Sequence, residues 1–164
     1  MRLRVIAVGT RMPAWVDAAF ADYARRLRSP WRLTLTEVAP ARRPSTGAAA
    51  GGAAAGARAA RAAEAKRIVA LLAARDFVVA VDEHGAEPTT VELVNWLTQR
   101  RTSGQDLAFV LGGPDGLGEE VFARAQWRWS MSRLTLPHAL ARVVLVEQLY
   151  RAASVLAGHP YHRE

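Results

Sequence analysis

The chain has 164 residues, no cysteine and a formal charge of +7. One domain of that length buries about 70% of its unfolded surface, enough for a core without staples, and the missing thiols exclude a cysteine nucleophile, a disulfide framework and a cysteine-ligated zinc site. The charge suits an anionic partner without requiring one: Lys66 is the sole lysine among abundant arginine and alanine, as a base-composition bias in the coding DNA also produces.

The opening MRLRVIAVGTRMP is too short an apolar run for a signal peptide or membrane span, so a soluble cytoplasmic protein is expected. Within it, residues 3–10 read as a central strand covered on both faces. Pro13 suits a first helical turn, and Val16, Phe20, Tyr23 and Leu27 fall at helical spacing through Arg28. Residues 31–38 alternate, with Leu33 and Leu35 on one face and Thr34 and Thr36 on the other, the pattern of a half-exposed strand near an edge. From Pro40 to Ala63 the chain is nearly all alanine, glycine and arginine, which predicts a flexible insertion at about 44–60 within a single domain spanning 1–164.

Helical spacing resumes near Arg58 and runs to about Ala74, with Ile68, Leu71 and Leu72 as its apolar face. A second apolar strand follows at 77–82. Thr89 and Glu92 have capping-box spacing for a helix through Val91, Val94 and Leu97 toward Arg101, ended by Ser103-Gly104. Residues 106–111 form a third apolar strand, so strands alternate with helices in an α/β fold with a mostly parallel sheet. Ligands of such sheets bind at the carboxyl ends of the strands, which directs attention to the residues after Val81, after Leu111 and around Leu134 to Pro137.

Gly112-Gly113-Pro114-Asp115-Gly116 exposes backbone amides at a strand's end but lacks the Lys-Ser/Thr of a phosphate loop; alone it fits a tight turn as well as a ligand site. Farther on, His138 and Arg142 lie one helical turn apart at the start of the last helix, a base beside a cation. That helix, 138–157, has four apolar residues in succession, Val143 to Val146, so its middle is covered by a second subunit or sandwiched within the monomer. Glu147 and Arg151 have the spacing of a helical ion pair. The terminal HPYHRE suits stacking on a base and pairing with phosphate, or a frayed end; its two histidines, separated by Pro160, lack a third ligand, so no metal is expected.

Together, the opening MRLRVIAVGTRMPAWV, LGGPDGL, WSMSRLTLPHALARVVLVEQLYRA and HPYHRE resemble the RlmH family, SPOUT-class methyltransferases of 23S ribosomal RNA, over nearly the whole chain. The resemblance implies a SPOUT-type α/β fold with a C-terminal trefoil knot, which periodicity does not reveal. It also implies a homodimer and methyl transfer from S-adenosylmethionine to N3 of a pseudouridine in the assembled ribosome. By position, S-adenosylmethionine is expected at Val81, Gly112, Met131, Ser132, Arg133, Leu134, Thr135 and Leu136, with the Arg133 guanidinium turned away from the sulfonium. His138, Arg142 and the tail residues Tyr161, His162 and Arg163 are expected around the target nucleotide, His138 or a water it orients as base and Arg142 stabilising the anion. The chain departs from the family's pattern with Val81 in place of leucine, Ala139 in place of a second proline, and the Ala/Gly stretch in place of a more charged segment. Three rivals remain: a SPOUT enzyme acting on tRNA, a non-catalytic dimeric RNA-binding factor, and a flavodoxin-like nucleotide binder.

Overall fold

Apolar runs too hydrophobic to face water on either side build the centre of the molecule. In the computed structural model, which describes residues 1–43 and 50–159, they form β1 (Arg2–Val8), β3 (Phe77–Ala86) and β4 (Leu107–Leu111). The alternating segment forms β2 (Arg32–Val38), and Trp127–Trp129 adds a short β5. The order is β2-β1-β4-β3-β5, and every neighbouring pair is parallel. As its alternation predicts, β2 is an edge strand.

Parallel strands need crossovers, and four helices supply them, α1 (Ala14–Arg26), α2 (Ala50–Leu71), α3 (Thr90–Ser103) and α4 (Glu119–Arg124), while α5 (His138–Leu156) follows the last strand. Odd and even positions along the strands feed two cores. Leu3, Val5, Val79 and Phe109 pack under α1, α3 and α5; Ile6, Val8, Val78, Ala80 and Val110 pack under α2 and α4. Burying each of the larger side chains contributes about 1.5–3 kcal/mol, so the layers hold the strand ends in fixed relation.

The expected insertion at about 44–60 needs correction, because residues 50–60 are the first half of α2; residues 44–49 lie outside the described residues. Alanine is the strongest helix former, and the small side chains permit close packing rather than preventing it. Ala60 and Ala65 are buried, and a Cβ added at Gly118 would meet the Ala65 Cβ and the Arg61 carbonyl at 2.8 Å.

The Thr89 cap forms as its spacing predicts: Thr89 Oγ1 accepts from Glu92 N at 3.2 Å, and Glu92 Oε2 accepts from Thr89 N at 2.7 Å. Thr89→Ala is expected to lower stability by about 1 kcal/mol, read as a lower denaturant midpoint at unchanged slope. Gly104, left-handed at φ 68°, ends α3.

β5 carries no periodic signal in the sequence, since three residues are too few. Its two tryptophans stack with parallel rings 5.6 Å apart, and Trp96 of α3 lies 4.5 Å from Trp127. Aromatic packing therefore fixes β5 where periodicity is silent. α5 lies between α1 and α3, which buries Leu145, Val146 and Leu149 within the monomer, while Val143 and Val144 are partly exposed. The Glu147–Arg151 pair forms at 2.9 Å.

Candidate functional site

At the carboxyl ends of β3, β4 and β5 three connections converge. The first follows Val81. Asp82 accepts from Arg128 Nη2 at 2.6 Å, so a charge in the outer half of β3 is matched by one from β5.

The second is the glycine loop. A Cβ added to Gly112 would lie 2.5 Å from the backbone C and O of Gly116, and Gly116 N donates to Gly113 O at 2.9 Å. The turn thus doubles back so closely that position 112 has room only for hydrogen. Asp115, at its tip, is tied to Arg43 through two hydrogen bonds, one of them 2.9 Å.

The third connection, residues 130–137, has no regular structure and is held by local polar contacts. Ser130 N donates to Ala86 O at 2.8 Å, Ser130 Oγ to Ser132 O at 2.9 Å, and Leu134 N to Ser132 Oγ at 2.9 Å. Thr135 Oγ1 donates to Glu83 at 3.1 Å. These bonds fasten the segment across the end of β3.

Between the connections lies a cavity of about 740 Å³, within the range that holds small molecules. Val81, Gly112, Met131, Ser132, Leu134, Thr135 and Leu136 line it, and so does His138. Arg133 does not: its guanidinium is exposed and pairs with Glu87 at 2.9 Å. Backbone groups, hydroxyls and apolar walls suit S-adenosylmethionine, whose sulfonium is disfavoured beside an unpaired cation. Of the two arginines in the wall, Arg128 is paired with Asp82, and Arg61 donates to the Asp115 carbonyl at 3.4 Å.

His138 opens α5 at the cavity's edge, half-buried, and its Nε2 has no hydrogen-bond partner. Burial, and then the positive charge of Arg142, hold its pKa below the ordinary 6.5, while the backbone of Val8 and Gly112 pulls more weakly upward. A neutral imidazole at neutral pH is able to accept a proton.

Arg142 requires a correction. Expected beside the target nucleotide, it is 1% exposed and points into the protein. Its Nη1 donates to Glu37 at 2.7 Å, and its Nη2 donates to the carbonyls of Val8 at 2.9 Å and Gly9 at 2.6 Å. Direct contact with a substrate anion would first require breaking these bonds. Tyr161, His162 and Arg163 lie outside the described residues.

Sequence reasoning passes over Glu37 and Arg128. Glu37 was legible only as a carboxylate near the end of an edge strand, and Arg128 sits in the three-residue β5.

A family model described as "Predicted SPOUT methyltransferase" matches residues 1–162. The protein named "Ribosomal RNA large subunit methyltransferase H" from Thiobacillus denitrificans is 50% identical over 164 residues, covering 100% of both chains. Its namesakes from Thioalkalivibrio sulfidiphilus and Methylobacillus flagellatus are 48% and 44% identical, each again over 100% of both chains. Among solved structures, a "Probable Methyltransferase" from Bordetella pertussis Tohama I superposes with a TM-score of 0.53 at 19% identity, covering 92% of this chain and 95% of that one, a likeness of fold alone.

Proposed function

The chain belongs to the SPOUT methyltransferase family, and from that premise we propose that it methylates ribosomal RNA of the large subunit, at N3 of a pseudouridine in 23S RNA, with S-adenosylmethionine as methyl donor. The observation that carries this reading is the cavity at the strand ends, where seven of the eight expected cofactor residues meet the half-buried, neutral His138. S-adenosylmethionine supplies an activated methyl on a sulfonium. The residues present would hold its adenine and methionine portions with backbone groups of Gly112, Met131, Ser132 and Thr135 and the apolar walls of Val81, Leu134 and Leu136.

The imide proton at N3 leaves to His138 or to a water that His138 orients. Bound S-adenosylmethionine would supply the methyl to that nitrogen's lone pair, its sulfur keeping the electron pair of the broken C–S bond. Cation and anion annihilate, which a water-poor cavity favours, and positioning lowers the barrier by up to about 7–11 kcal/mol. Arg142 acts here through its field and through the strand ends it binds, not by touching the anion. Tyr161, His162 and Arg163 are proposed to contact the RNA.

The reading includes a C-terminal trefoil knot, a homodimer and action on cytoplasmic ribosomes. The partly exposed Leu140, Val143 and Val144 on α5 support the dimer, because an apolar stripe left by the monomer suits a twofold partner.

The test incubates the protein and labelled S-adenosylmethionine with ribosomes lacking the modification, with free ribosomal RNA and with tRNA, and maps methylated nucleotides by mass spectrometry. Methyl on a 23S pseudouridine, in assembled ribosomes only, is the expected result. Transfer to tRNA, or to nothing, would overturn the assignment.

A further inference from the structure

A buried guanidinium is costly to desolvate, and replacing a buried ion pair by apolar residues is often neutral or stabilising. Arg142 is buried nonetheless, with its Nε unpartnered, so stability alone does not explain it. Its place is more informative. A Cβ added at Gly9, where φ is +114°, would lie 3.0 Å from Arg142 Nη2 and 3.3 Å from His138 Nε2, so the two side chains converge on one point at the end of β1. Glu37, opposite Ala7 in the β1–β2 register, reaches the same guanidinium from the end of β2.

We infer that Glu37 is a positioning residue for methyl transfer: by anchoring the Arg142 guanidinium to the ends of β1 and β2, it fixes His138 one helical turn earlier at the cavity edge. The inference rests on the proposed function, with His138 at the transfer site. Its chemistry divides in two. The bonds from Arg142 to Glu37, Val8 and Gly9 set the height and rotation of the first turn of α5 against the sheet. The Glu37 carboxylate also offsets the Arg142 charge felt by the imidazole. Among the described residues, the groups around His138 are Arg142 on α5, the backbone of Val8 and Gly112, and Glu37 behind Arg142. Across the cavity, Asp82 is paired with Arg128 and Asp115 with Arg43, and Glu83 accepts from Thr135. Glu37 is thus the carboxylate bonded directly to the cation beside His138.

Two variants separate the two effects. Glu37→Ala removes the anchor, and a displacement of about 1 Å costs up to about 100-fold in rate, so a loss of about 10- to 100-fold is expected with S-adenosylmethionine affinity retained. Glu37→Gln keeps an acceptor for Arg142 and removes the charge. It is expected to restore most of the rate while His138, followed by imidazole NMR, titrates at lower pH than in the parent, because the Arg142 charge is no longer offset. An unmoved His138 titration in Glu37→Gln, or parental transfer in a folded Glu37→Ala, would overturn the inference. Should the parent methylate no ribosomal RNA, the proposed function fails, while the His138 titration still reports whether Glu37 acts on it through Arg142.

Discussion

His138→Ala lowers the rate of methyl transfer by about 100- to 10,000-fold and leaves S-adenosylmethionine affinity nearly unchanged, the range expected for loss of a positioned base. Burial first, and the Arg142 charge second, disfavour the imidazolium, so His138 titrates below the ordinary 6.5. The neutral form is the one that accepts a proton, so activity holds through neutral pH and falls only as acid reaches the lowered pKa. Rate against pH in the parent therefore shows an acid limb below about 6.5, and the alanine variant's residual rate loses it. Stability follows the same sign. On acidification the unfolded chain binds this proton before the folded one does, so the His138 contribution falls as pH drops through 6.5 toward the folded value. A variant that kept parental turnover across the whole profile would remove His138 from the chemistry and leave the oriented water or the RNA itself to accept the proton.

The centre of the sheet was legible because β1 and β4 and the first half of β3 are apolar on both faces, and helix α3 because Thr89 and Glu92 stand three apart before an apolar stripe. Two elements escaped for opposite reasons. β5 is defined by where Trp127 and Trp129 pack, against Trp96 and Phe109, and such pairing is written in no local window. The first half of α2 escaped because Ala and Gly offer no hydrophobic period. At the site, the loop residues were locatable by position, whereas the direction of Arg142 was not. One helical turn from His138 places its backbone near the cavity, yet the side chain turns to a carboxylate 105 residues away in sequence. Partnership across the sheet decides direction, and spacing along a helix does not.

Gly112→Ala is expected to weaken S-adenosylmethionine binding by about 5- to 150-fold, the equivalent of about 1–3 kcal/mol of overpacking. The added Cβ would sit 2.5 Å from the Gly116 carbonyl carbon and oxygen and 2.9 Å from Leu117 N, and all three are backbone. No side chain can swing aside, so the loop itself has to open. Opening moves the turn that the Gly116 N–H closes on Gly113 O, and with it the cavity wall formed by residues 111–117. Because that turn lies outside both apolar cores, the strain should appear mainly as lost affinity in calorimetry and only slightly in the melting temperature. Gly116→Ala provides the contrast. Its Cβ would meet nothing within 4 Å, but φ is +84°, so the cost is a left-handed backbone, about 1–2 kcal/mol, with the cavity keeping its shape. That variant should melt earlier yet bind more tightly than Gly112→Ala. Parental affinity in Gly112→Ala would mean that the loop relaxes without disturbing the ligand, and position 112 would then be a turn requirement rather than a wall of the methyl donor's site.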